Sequence, residues 1–127
     1  MRPTILTVDD AKAVRTLVEK ALAPFACEVT TATNGFEAFF AIERIRPDLI
    51  LLDISMPIMG GVEALRRLKA AHELASIPVI MLTSRADHTV VPLLPKMGAA
   101  GNVLKPFDEA TLLAAIKSVI KLQPAPN

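Results

Sequence analysis

Six residues spread along the chain carry side chains that phosphoryl and metal chemistry use: Asp9, Asp10, Asp53, Thr83, Ser84 and Lys105. Brought together, the three carboxylates would repel one another and demand a counter-charge. A hard divalent cation with oxygen ligands, Mg²⁺ above all, meets that need and keeps several of its waters. Lys105 would add a mobile positive point charge suited to a phosphoryl oxygen, and Thr83 a hydroxyl donor to another. Asp53 is the most telling of the set. It stands within "PDLILLDISMP", residues 47–57, where Leu49, Ile50, Leu51, Leu52 and Ile54 are as apolar as a buried strand. An unpartnered carboxylate in such a place is costly.

The elements that must position these side chains alternate between two periodicities. Short β-rich runs at 4–8, 27–32, 48–54, 77–84 and 101–106 read as strands. Helical spacing marks 11–23, where Val14, Leu17, Val18, Ala21 and Leu22 form one stripe and Pro24 stops it. Further helices are expected at 34–46 with Asn34 as cap, at 62–72 after Gly60-Gly61, and at 108–122 capped by Asp108. The unbroken apolar character of the third strand implies that both of its faces are covered. Between strands four and five, "DHTVVPLLPKMG" carries Pro92 and Pro95. Inside a helix each would cost roughly 3 kcal/mol, lacking an N–H and clashing with the preceding turn. The fourth helix should therefore be irregular or shortened, bent or partly 3₁₀, and start near Pro92.

Strand–helix alternation repeated five times argues for a single α/β domain, a doubly wound parallel (βα)₅ sheet with helices on both faces. Such sheets bind ligands beyond the carboxyl ends of their strands, where the strand order reverses. The chemistry-bearing residues fall there: Asp9-Asp10 after strand one, Asp53 after strand three, Thr83 and Ser84 after strand four, Lys105 at strand five.

Bulk properties narrow the class. The 127 residues suit one domain, with a core over 4–121 and a polar, Pro-containing tail at 122–127 that should fray. Apolar residues at 52% and charged residues at 21% exclude a disordered chain. A formal charge of +1 without a Lys/Arg stripe argues against nucleic-acid binding by this domain. Mean hydropathy is high, +0.44, yet Asp, Pro or Lys interrupts every apolar run before the roughly 18 residues of a membrane span. The early carboxylates exclude a signal peptide. One cysteine, Cys27, excludes an internal disulfide and fits a small core residue in a reducing cytosol.

The set Asp9-Asp10, Asp53, Thr83 and Lys105-Pro106, in this order on a (βα)₅ pattern, resembles the receiver domains of bacterial two-component response regulators, over residues 4 to about 121. The resemblance, to chemotaxis-type, flavodoxin-like receivers, implies strand order 2-1-3-4-5. It implies that Asp53 accepts a phosphoryl group from a sensor histidine kinase or histidine phosphotransfer protein, or from a small phosphodonor. Asp10 and Asp53 would ligate Mg²⁺ directly, the Ser55 carbonyl would add a ligand, and Asp9 would act through water. Lys105 and Thr83 would meet the phosphoryl group, the Ile54 and Ser84 N–H groups would face it, and Lys105-Pro106 would be cis. The whole would be a cytoplasmic switch and not an enzyme, presenting a surface to a downstream effector protein, either as a stand-alone receiver or within a longer regulator.

Other readings compete. Asp9 or Asp10 alone would serve as a helix cap, and Thr83 or Lys105 alone as ordinary surface groups. His72 and His88 lack metal-ligand neighbours, Gly60-Gly61 lacks the Lys-Ser/Thr of a phosphate loop, and Arg66-Arg67 is a solvated pair. An aspartyl-phosphate hydrolase needs a second acid two residues after its nucleophile, where this chain has Ser55. The complete acidic and basic set argues against a receiver used only for docking, while Asn102, which stands where the family has an aromatic, and the two prolines keep that reading open. Gly60 replaces an Asp that often opens the third helix. These departures point to output through an unusual surface, the first helix or Val90–Leu94.

Overall fold

The computed structural model describes residues 2–126. Five strands, β1 (Thr4–Val8), β2 (Glu28–Ala32), β3 (Leu49–Asp53), β4 (Val79–Thr83) and β5 (Gly101–Leu104), form one parallel sheet in the order β2-β1-β3-β4-β5. Helices α1 (Lys12–Leu22), α2 (Gly35–Ile45), α3 (Gly61–Ala70) and α4 (Glu109–Lys117) cover its faces. This is the expected flavodoxin-like topology, with helix and strand ends trimmed by a few residues.

The pleat of β3 explains the unbroken apolar run. Ile50 and Leu52 point into the core shared with α2 and α3, whereas Leu49 and Leu51 point into the core shared with α1 and α4. All four are fully buried, each stabilising the fold by roughly 1.5–3 kcal/mol relative to exposure. The edge strands β2 and β5 are partly exposed. Helix starts follow their predicted caps: Asn34 Oδ1 accepts from Glu37 N at 2.9 Å, and Asp108 Oδ1 from Thr111 N at 2.8 Å.

No α-helix forms between β4 and β5 among the described residues. Three 3₁₀ turns, Arg85–Asp87, Val91–Leu93 and Pro95–Met97, replace it, and each of the latter two has a proline in its first two positions. Proline tolerates a first turn but not a ladder continued through it. Within Val90–Leu94, Leu94 belongs to the core while Leu93 is exposed.

The C-terminal expectation needs correction. The last helix ends at Lys117, where Ser118 Oγ donates to Ala115 O at 2.6 Å and the chain tightens. Val119, Ile120 and Leu122 then pack on the α1–α4 core. The tail is paired over 123–125: Ala26 N donates to Gln123 O at 2.8 Å and Ala125 N to Pro24 O at 2.9 Å. Partly buried apolar side chains and backbone pairing outweigh its polar composition, while Asn127 lies outside the described residues.

Gly61 has a role that capping does not explain. A Cβ there would lie 2.0 Å from the Asp53 carbonyl oxygen, because α3 begins directly against the end of β3. Gly61→Ala should lower stability by about 3 kcal/mol, the upper range for overpacking, and move the Asp53 backbone. Urea unfolding with circular dichroism measures this; a loss below about 0.5 kcal/mol would contradict the close approach.

Candidate functional site

Parallel register brings the separate motifs to one edge. Val8 pairs with Leu52, Asp53 with Leu82 and Thr83 with Leu104, so the residues after β1 and at the ends of β3, β4 and β5 lie side by side. Asp9, Asp10 and Asp53 each place one carboxylate oxygen within 4.8 Å of the others. Asp9 and Asp53 are buried, at 0% and 5% exposure, and Asp10 is exposed.

Lys105 reaches across this cluster. Its Nζ lies 2.6 Å from Asp9 Oδ2 and 2.9 Å from Asp53 Oδ1, and only the second contact has hydrogen-bond geometry. Burial pushes the Asp53 carboxyl above its ordinary value, with Asp9 repulsion adding to this and the Lys105 hydrogen bond opposing it. Burial works against the Lys105 charge, but Asp9 and Asp53 together outweigh it and hold the amine above its usual range. The cluster is short of positive charge. Among the described residues Lys105 is the one cation paired with these carboxylates. Asp9 Oδ2 remains a buried oxygen without an aligned donor, which suits a hydrated hard cation.

The surroundings hold the cluster in place. Asp9 Oδ1 accepts from Ala11 N at 2.9 Å at the head of α1, so one carboxylate does assist that helix as well. Arg15, which sequence periodicity places merely off the apolar stripe, donates Nη1 to Asp9 O at 2.8 Å. No spacing rule flags such a contact. Thr83 is fully buried and its Oγ1 has no hydrogen-bond partner among the described residues. The neighbouring Ile54 N–H slightly favours the ionised Asp53 carboxyl. Ser84 departs from expectation: its N–H donates to Asp87 Oδ2 at 2.7 Å in a capping box that opens the first 3₁₀ turn. Asp87 lies three residues on, the capping-box spacing, and was legible on that ground. Ser55 is exposed in the loop after β3, and Lys105-Pro106 is cis.

Two clefts flank the cluster. One of about 380 Å³ lies between α1 and the loop after β5, lined by Ala13, Val14, Leu17, Lys105, Pro106 and Phe107. The other, about 360 Å³, is lined by Thr83, Asn102, Leu104 and the 3₁₀ segment, including Arg85, His88 and Pro92. Asn102 is exposed on β5, so the cleft beside Thr83 holds no ring from this position. His72 and His88 are exposed, and Cys27 is buried, its thiol pushed up by burial.

The sequence profile described as response regulator receiver domain matches residues 5–117. The chain belongs to that family. Transcriptional regulatory protein CseB of Streptomyces avermitilis is 37% identical over 92% of this chain, which spans only 48% of that protein. The chain thus covers about half the length of several transcriptional regulators that it matches. Sporulation initiation phosphotransferase F of Bacillus subtilis is 32% identical over 97% of this chain and 98% of its own length. The chemotaxis response regulator CheY4 of Vibrio cholerae superimposes with a TM-score of 0.86 at 31% identity, covering 94% of this chain and all of that one. This receiver is therefore a phosphoacceptor module of two-component signalling. Receivers of the family bind Mg²⁺ at an acidic pocket, and the Asp9, Asp10 and Asp53 carboxylates form such a cluster here. No helix among the described residues is long and apolar enough to cross a membrane.

Proposed function

We propose that Asp53 is the residue phosphorylated, and that its donor is a phosphohistidine on a sensor histidine kinase or histidine phosphotransfer protein. A carboxylate oxygen of Asp53 attacks phosphorus, the P–N bond breaks, and the imidazole leaves with the electron pair and takes up a proton. The observation that carries this reading is the single ammonium shared by two buried carboxylates, 2.6 Å from Asp9 and 2.9 Å from Asp53. That ammonium is placed to follow the charge onto a phosphoryl oxygen, and the unpaired Thr83 hydroxyl is available to a second. Positioning and charge neutralisation are most of what phosphoryl transfer requires.

Asp10, Asp53 and the Ser55 carbonyl would hold Mg²⁺, with Asp9 acting through water. The ion, when bound, supplies charge neutralisation for the carboxylate nucleophile and the phosphoryl oxygens. The apolar cleft between α1 and Pro106-Phe107 opens beside Lys105 and suits the helix face of a donor protein. A change at Thr83 would reach the effector surface through the cleft it shares with Asn102 and the 3₁₀ segment. We place the switch in the cytoplasm, without direct nucleic-acid or membrane contact, and either alone or within a longer regulator.

Intact mass after incubation with acetyl phosphate tests this. One phosphoryl group should add in Mg²⁺ and none in EDTA or in Asp53→Asn. Hydrogen exchange with beryllofluoride and Mg²⁺ should change across 84–102. Absence of any adduct would leave only a docking role. Steady turnover of a phosphomonoester would instead indicate a hydrolase, against which Ser55 already stands.

A further inference from the structure

Asp10 is the member of the acidic cluster without a bond of its own. Asp9 is fixed on several sides: its N–H donates to Ala32 O at 3.0 Å, its Oδ1 accepts from Ala11 N at 2.9 Å, and its Oδ2 lies 2.6 Å from the Lys105 amine. Asp53 is buried and bonded to Lys105. Asp10 is exposed and has no hydrogen bond or ion pair among the described residues. Helix α1 follows it directly, but the N-cap Ala11 makes no side-chain bond and the first turn holds no acid. The direction of the Asp10 side chain is therefore set by the residues on either side of it.

Arg15 grips both of those neighbours. Its Nη1 donates to the Asp9 carbonyl at 2.8 Å, and its backbone N–H donates to the Ala11 carbonyl at 3.2 Å. Helical side chains lean toward the N-terminus of their helix, so a long residue one turn into α1 reaches back past its start. Arg15 is half-buried and forms no ion pair among the described residues. It holds a carbonyl instead of a carboxylate.

We propose that Arg15 is a positioning residue for the cation site. By fixing the Asp9 carbonyl it sets the plane of the Asp9–Asp10 peptide, and with it the direction in which the Asp10 carboxylate meets Mg²⁺. The inference rests on the reading of Asp10 as a direct ligand. Groups that orient metal ligands commonly contribute roughly ten- to a hundredfold in affinity. Charge alone would act the other way: a cation near the site repels Mg²⁺, and removing it would tighten binding. The sign of the effect separates positioning from charge.

Titration of the full chain with Mg²⁺ alone, without a phosphodonor and followed by amide NMR shifts, tests this. Arg15→Met should weaken Mg²⁺ binding about tenfold. Arg15→Gln, too short to reach the carbonyl, should do the same and decides the matter should Arg15→Met fail to fold. Arg15→Lys keeps a donor and the charge and should recover part of the loss. Binding in Arg15→Gln as tight as in the parent, or tighter, would overturn the proposal. So would a lower melting temperature in EDTA with unchanged Mg²⁺ affinity, the mark of a side chain that serves the fold alone. Asp10→Asn is the control and should weaken Mg²⁺ more than any Arg15 variant. If it binds like the parent, the ligand assignment falls and this inference with it. If it binds poorly while the Arg15 variants bind like the parent, only the inference falls.

Discussion

Lys105→Met should destabilise the fold by about 3 kcal/mol in EDTA, and millimolar Mg²⁺ should recover part of that loss. Removing one partner of a buried ion pair typically costs roughly 3–5 kcal/mol, because the remaining charge stays in a poor solvent. The lower figure applies here because the Lys105 side chain keeps 22% of its exposure. Two carboxylates lose their shared ammonium in this variant, and Asp9 is fully buried. A divalent ion binding only the folded chain would offset the loss by mass action. Guanidinium unfolding with and without Mg²⁺ provides the measurement. A loss below 1 kcal/mol, or no response to Mg²⁺, would mean that Lys105 does not neutralise this cluster. The sign of the pH dependence follows from the raised amine. Its contribution is complete below the ordinary lysine value and fades as pH rises through the higher folded value.

Asp53→Asn should do the opposite, melting at a higher temperature than the parent chain while accepting no phosphoryl group. Burial and Asp9 repulsion raise the Asp53 carboxyl in the folded state, so the folded chain binds its proton more tightly than the unfolded chain. Stability from this group is therefore complete below the ordinary carboxylate value and is lost as pH rises through the raised one. At neutral pH the parent carries the cost of the ionised form and the amide does not. Lys105 is not stranded by the change, since Asp9 Oδ2 stays 2.6 Å away. Each kcal/mol gained should appear as roughly 4 °C or more in Tm for a chain of this length. Thermal melts in EDTA should show the two chains converging toward pH 3.5 and separating toward pH 7. A variant less stable than its parent at pH 7 would show that Asp53 serves the fold rather than straining it. These two substitutions form a pair: one removes the cation, the other an anion, and the buried cluster should answer with opposite signs.

Much of this molecule was legible in the residues themselves. Period-two and period-3.6 patterns are local, so the strands, the α1, α2 and α3 segments and their Asn34 cap could be read without coordinates. The prolines at 92 and 95 likewise announce a broken element, because the missing N–H and fixed φ belong to the residue and not to its neighbours. The polar set at the strand ends was readable because a parallel sheet aligns its carboxyl edges whatever fills its core.

Other features depended on which surfaces meet. The tail "QPAPN" looks unstructured by composition, yet residues 123–125 pair with Pro24 and Ala26, next to the partly buried Val119, Ile120 and Leu122. Gly60-Gly61 reads in one dimension only as the lead-in to a helix, and Gly61 proves to be the point where α3 meets the Asp53 carbonyl. Arg15 reads as a solvated side chain and instead holds the Asp9 carbonyl. Nor does spacing reveal that Lys105 lies between Asp9 and Asp53. Local chemistry determined the elements and the list of reactive groups. Packing decided the distances among them, because charge interaction and steric contact depend on separation in space and not along the chain.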